Sequence, residues 1–240
     1  MTRRMGLQRT DGNLMVLYAL FLAALSVGNV LDNSYFFFMG YLFPASVLAY
    51  PMTFLVTSTI CELWEEKYAS RLVLLGLSIK FLGVVLLGLS QLIKIFPDYG
   101  ARKELWSILG TSFWEVSGHM VLGRTLRFWT SSMITFPVAQ FVGIWVFCKV
   151  MERHIQKAGS AWGGRWSRYL AGALAGEITE VMLFMTLTFA SEWTDLFGHK
   201  YQQACLQQIY VRLWLTFLSL PVYYALTWRR KQFWRRIDHV

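Results

Sequence analysis

Long apolar runs alternate with short polar stretches along the whole chain. The runs fall near Leu14–Leu31, Phe36–Ile60, Leu72–Phe96, Phe128–Val150, Tyr169–Ala190 and Gln207–Trp228. A helix rises ~1.5 Å per residue, so about 20 residues cross the roughly 30 Å hydrocarbon layer. Each run is long enough to do so. The pattern predicts an all-α polytopic membrane protein, with six transmembrane helices in a single integral membrane domain over residues 1–240. Residues 105–123 are apolar enough for a seventh span, but Glu115, His119 and several Gly and Ser weaken it. They are expected to form a re-entrant or interfacial segment between spans three and four. No hydrophilic stretch is long enough to fold alone.

Composition agrees. The chain is 55% hydrophobic and only 15% charged, where soluble domains carry about 25% charge. Its net charge of +9 does not point to nucleic acid, because the basic residues punctuate the apolar runs. They set orientation instead. Six spans put both termini and two connections on one side. That side carries Arg3, Arg4 and Arg9, then Lys67 and Arg71, then Lys149, Arg153, Lys157, Arg165 and Arg168, then Arg229, Arg230, Lys231, Arg235 and Arg236. These are 15 of the 23 basic residues. Cytoplasmic loops hold such an excess, so both termini are expected in the cytoplasm, in a multi-pass protein of the inner membrane. The first apolar run reads as an uncleaved span, because no small-residue cleavage site follows the basic start.

Little in the sequence suggests an enzyme. Cys61, Cys148 and Cys205 lie far apart, with no CxxC pair and no disulfide framework. Glu115 and His119 stand at i, i+4 without a third ligand, and no phosphate-binding, nucleophile-elbow or dinucleotide glycine pattern occurs. No enzyme activity, cofactor or metal is expected.

The candidate chemistry lies within the spans. Glu177 and Glu180 sit about 13 and 18 Å into span five when it is counted from Arg168. An acid at that depth costs on the order of 2.5–3.5 kcal/mol. Two within four residues point to a polar site inside the bundle. Spans four and five also echo each other. Ala139-Gln140, Gly143 and Phe147 align with Gly176-Glu177, Glu180 and Phe184. In each frame a small residue precedes a polar one, and Phe follows seven positions later on the same face. Gln140 reads equally as interhelical glue or as a site residue. Asn29 and Asn33 read as helix-end or ligand-contacting residues. Arg212 is either a snorkelling cation or the counter-charge to the acids. Arg127 reads as an interfacial anchor. Glu62, Glu65, Glu66 and Lys67 read as a solvated loop after span two.

Several blocks together carry a family likeness. Gly28 to Asn33 is followed by Phe43-Pro44-Ala45, by Tyr50 to Thr57, and by Glu62-Leu63-Trp64 with Lys67 and Ala69. Then come Arg127, Ser132, Gln140 and Phe147, then Glu177, Glu180 and Phe184, then Arg212 and Pro221-Val222-Tyr223. In order and spacing, over about residues 25–228, the chain resembles the queuosine precursor transporter family, also called the vitamin uptake transporter-like family. The resemblance implies six helices and uptake of 7-deazaguanine bases. It also implies a nucleobase substrate whose guanine edge is held by Glu180, with Glu177 sharing that role or carrying a coupling proton, with Gln140, Asn29 and Arg212 around it and Phe147 and Phe184 nearby. A carboxylate can accept the paired N–H groups of a guanine edge, and aromatic rings can stack on a flat base. The chain departs from the family at Ser58 and Gly143, where acids are usual. It also departs at Glu177 and Glu180, usually Gln or Asn and then Asp, at Arg212, usually Lys, and at Ser34, often Lys. These differences leave open which base is carried: preQ0, preQ1 or queuine. The expected partners are that base and the lipid bilayer, without nucleic acid; a homo-oligomer stays open. The alternative is a substrate-capturing subunit of an energised uptake complex, docking through the Glu62–Lys67 cluster.

Reporters fused near Met5 and after Val240 should both give a cytoplasmic signal. Signals on opposite sides would mean that residues 105–123 cross the membrane.

Overall fold

The computed structural model describes residues 2–31, 35–38, 41–93, 112–158, 164–188 and 199–237. Six helices carry the fold: α1 (Thr2–Leu31), α2 (Tyr50–Leu63), α3 (Glu66–Ile93), α4 (Ser112–Ala158), α5 (Arg165–Thr188) and α6 (His199–Ile237). Six stretches are long and apolar enough to cross a membrane: Gly12–Leu31, Ala45–Leu63, Glu66–Leu86, Trp129–Gln156, Arg165–Thr188 and Cys205–Thr227, the second taking in the turn ahead of α2. The six-span helical architecture is as the apolar pattern predicts.

Two details differ from that pattern. The second span begins at Ala45, not near Phe36. Ahead of it, β1 (Tyr35–Phe38) and β2 (Tyr41–Pro44) form an antiparallel hairpin, with Phe36 opposite Phe43. The reason lies in the residues. Six of the eight strand residues are aromatic, and aromatic side chains favour a pleated strand with cross-strand ring pairs; the Phe36 and Phe43 centroids are 5.9 Å apart. A short 3₁₀ turn, Ala45–Leu48, then leads into α2, whose first turn holds Pro51 where no N–H is required. The second detail concerns the expected re-entrant segment. Residues 105–111 lie outside the described part, and from Ser112 the chain is one helix through span four.

α2 is the axis of the bundle. Its span is 83% buried, against 17–44% for the other five, and it touches every other helix. The outer helices bury one stripe and expose the rest. In α1, Leu17, Phe21 and Leu25 are buried at i, i+4 and i+8, while Met15, Val16, Val27 and Val30 face outward. That outward apolar surface belongs to lipid. Hydroxyls along α2 turn back onto its own carbonyls. Thr53 donates to the Tyr50 carbonyl at 2.7 Å and Thr59 to that of Leu55 at 2.7 Å, so neither is left unmet in a dry interior.

α4 and α5 pack closest, because both are glycine-faced at the crossing. A Cβ on Gly172 would stand 2.9 Å from the Gly143 carbonyl oxygen and 2.9 Å from the Phe147 Cβ. A Cβ on Gly176 would stand 2.9 Å from the Ala139 carbonyl oxygen and still closer to the Phe54 ring. The echoed frames therefore meet in space at their small residues, Ala139 and Gly176. α5 is entered through Gly164, which holds a left-handed φ of 67°.

Gly172→Ala should lower stability by about 1–3 kcal/mol, because backbone and a Cβ must part to admit it. Gly12→Ala, with nothing within 4 Å of the new methyl, should leave it unchanged. Thermal unfolding in detergent measures both.

Candidate functional site

Polar side chains meet α2 at three levels. The first lies at the end of the bundle that carries Lys67, Arg71, Lys149, Arg153 and Arg165, here called the basic end. Glu62, in the last turn of α2, accepts from Arg168 Nη2 at 2.5 Å and from the Tyr223 hydroxyl at 3.3 Å. The Tyr223 ring stacks on Tyr169, with centroids 4.5 Å apart, and the Tyr169 hydroxyl bonds Ser219. Glu62, Arg168 and Tyr223 are all buried. This corrects the expectation of a solvated loop at Glu62. The helix runs on to Leu63 and turns Glu62 inward, where Arg168 offsets its charge. Only its neighbours behave as expected: Glu65 and Lys67 form an exposed pair at 2.6 Å. A docking surface built on the Glu62–Lys67 cluster loses Glu62.

The middle level is neutral. Gln140 on α4 donates through Nε2 to Thr53 Oγ1 at 2.8 Å and accepts from Thr57 Oγ1 at 3.1 Å. Its amide thus faces α2 on both sides, with the Thr57 proton shared between Gln140 and the Thr53 and Phe54 carbonyls at 3.1 and 3.2 Å.

The third level holds the acids. α6 presents Arg212 and Thr216 to α5, continuing the stripe of Ser219 and Tyr223. Arg212 Nη1 donates to Glu180 Oε2 at 2.9 Å, and both side chains are 5% exposed. Arg212 is therefore the counter-charge and does not snorkel. Its guanidinium also lies 5.2 Å from the Tyr50 ring centre, and its Nε makes no hydrogen bond among the described residues. Glu177 is served differently. Thr216 Oγ1 lies 2.9 Å from each of its oxygens and 2.9 Å from the Arg212 carbonyl oxygen. One hydroxyl carries one proton, so three acceptors share a single donor. Counted from Arg165, Glu177 and Glu180 lie about 18 and 22 Å along α5.

Tyr50 joins the levels. Its carbonyl accepts from Thr53, which bonds Gln140. Its ring lies by Arg212, and its hydroxyl is 3.5 Å from Ser132 Oγ. Gly28 lies against it: a Cβ there would be 3.9 Å from Tyr50 Cζ. The neighbouring Asn29 is 5% exposed. Thus Glu177, Glu180 and Arg212 come together, with Gln140 linked through Thr53 and Tyr50, and Asn29 on the adjoining turn of α1.

Phe147 and Phe184 do not join them. Each lies two turns, about 10 Å, from the polar residue of its frame, and the two point to opposite ends. Phe147 is fully buried against Gly172 in the apolar core, and Phe184 is half-buried. Asn33 lies outside the described residues.

Sequence reasoning missed Lys80 and Tyr50. Lys80 is 2% exposed; its Nζ donates to Ser132 Oγ at 2.5 Å. The signal was available: a cation in the middle of the third apolar run. The described bundle interior thus buries three acids (Glu62, Glu177, Glu180) and three cations (Lys80, Arg168, Arg212).

A six-span helical bundle with charges paired in its interior defines a polytopic membrane protein whose polar centre is screened from lipid. The particular family follows from its sequence: the family model described as "Putative vitamin uptake transporter" matches residues 44–226, about three quarters of the chain, and the chain belongs to that family. Comparison with curated proteins and with solved structures gives no match.

Removing one partner of a buried pair strands the other, at about 3–5 kcal/mol. Arg212→Met should therefore destabilise strongly, and adding Glu180→Leu should restore much of the loss. Glu65→Ala, at an exposed pair, should change stability by no more than about 0.5 kcal/mol. Unfolding midpoints of the wild type and these three variants test both expectations.

Proposed function

We propose that this chain carries a 7-deazaguanine base, a precursor of queuosine, inward across the cytoplasmic membrane, acting as a carrier and not as an enzyme. The family supplies uptake of a small organic nutrient. The block-by-block resemblance from Gly28 to Tyr223 supplies the class of base.

One observation carries the role of the site. Glu177 is buried, forms no ion pair among the described residues, and shares a single hydroxyl donor with two other acceptors. Its carboxylate keeps acceptor capacity for a paired N–H edge, as a guanine-like base presents. Glu180 is already committed to Arg212. On this reading Glu177 takes the base, Glu180 and Arg212 hold α5 and α6 in place around it, and Gln140 and Asn29 complete the polar wall. Both termini lie in the cytoplasm on the same reading.

Expression of the chain in cells that cannot synthesise queuosine should restore the modified tRNA when a deazaguanine base is supplied. Unmodified tRNA for every base tried, with the protein present in the membrane, would rule the assignment out. Glu177→Gln puts a donor amide against the base's own donors. It should weaken binding to the purified protein by about ten- to a hundredfold, while leaving no stranded cation and so little change in melting. Calorimetric titration with the base gives the first number and thermal unfolding the second.

A further inference from the structure

The hydrogen bonds of α6 continue past the acids to the basic end of the bundle. Arg212, Thr216, Ser219 and Tyr223 recur at helical spacing on one face. Arg212 bonds Glu180, Thr216 bonds Glu177, Ser219 bonds Tyr169 and Tyr223 bonds Glu62. The first three partners run down α5 towards Arg168. A polar seam between α5 and α6 thus leads from the acids to the Glu62–Arg168 pair, and its far end is shut. Glu62, Arg168, Tyr169 and Tyr223 are no more than 2% exposed. The opposite end is closed differently, by apolar contact of Val181, Met185, Cys205 and Ile209. Apolar side chains of similar volume would close the basic end as firmly, because a buried ion pair gives little net stability over them. What a pair and a ring stack add is a closure that can part. Arg168 stands about 5 Å along α5 from Arg165, near the interface, so water meets both charges when they separate. The Tyr169 and Tyr223 rings lie 4.5 Å apart and 15° from parallel. A flat ring that enters between such rings restores the stacking it interrupts.

We infer that Glu62, Arg168, Tyr169 and Tyr223 form a gate: they close the seam at the basic end around an empty site, and part to let the base pass between Glu177 and that face of the membrane. The inference rests on the import reading above, under which this face is the cytoplasmic one. The ion pair latches α2 to α5, and the Tyr223 hydroxyl latches α6 to α2. The Arg212–Glu180 pair, deep in the bundle, keeps α5 and α6 joined while the end opens.

The test is thiol labelling of Ser219→Cys in membrane vesicles with the basic face outward, using a charged methanethiosulfonate that does not cross the bilayer. The described native cysteines are buried, and wild-type vesicles with and without base supply the blank. Labelling should be slow in the empty protein and about tenfold faster with 7-deazaguanine, as expected when a ligand populates a minor open state. Adding Glu62→Gln should give fast labelling without base. Calorimetric titration of that variant with 7-deazaguanine should show unchanged affinity, since its partner Arg168 lies about 14 Å along α5 from Glu177. Ala173→Cys, on α5 between Tyr169 and Glu177, replaces Ser219→Cys if that variant does not import the base. Labelling that base does not speed, in protein that imports it, overturns the gate and leaves the import reading standing. So does a Glu62→Gln variant that stays unlabelled, or one that loses affinity for the base. Wild-type protein that neither binds nor imports 7-deazaguanine overturns the import reading and this inference with it.

Discussion

The Arg212–Glu180 ion pair sits where lipid surrounds the bundle and no bulk water can solvate either charge. Each group is stable there only because the other lies 2.9 Å away. The same requirement recurs at Glu62 and Arg168, about 18 Å away along α5. The two pairs together fix how α5 faces its neighbours. One joins α5 to α6, and the other joins it to α2, with Tyr223 of α6 closing the contact. Polar satisfaction, more than apolar packing, specifies these contacts, since lipid is as apolar as a leucine side chain and gives helices little reason to prefer one another.

Close approach supplies the other half of the specification. Glycines at 143, 172 and 176 let α4 and α5 touch backbone to backbone, which brings Gln140 and Glu177 onto adjoining helices. The weak echo between the two spans has a spatial counterpart here. Its small residues, Ala139 and Gly176, are where the helices meet, and its polar residues diverge from that point: Gln140 to α2 and Glu177 to α6.

The six spans were legible because twenty apolar residues in a row have few other uses. The acids of span five were legible because of their cost in hydrocarbon. The aromatic run at Phe36 was not, since apolarity alone does not separate a buried helix from a hairpin. Glu62 was misread for a related reason. Beside Glu65, Glu66 and Lys67 it looks like one more loop charge, and only the register of α2 turns it inward to Arg168. That partner lies 106 residues along the chain, beyond any local pattern. Lys80 was overlooked within a run that reads as a span with or without it. Tyr50 stood in plain view among many aromatics, and its role depends on which four helices surround it.

The three acids and three cations of the interior have an electrical meaning. With all six ionised, the described core is neutral as a whole, but the opposite signs sit on different helices: α2 and α5 each carry a net negative charge, α3 and α6 a net positive one. Moving one net charge through a membrane potential involves about 2.3 kcal/mol per 100 mV. A shift of one such helix against another along the membrane normal would move buried charge through that field.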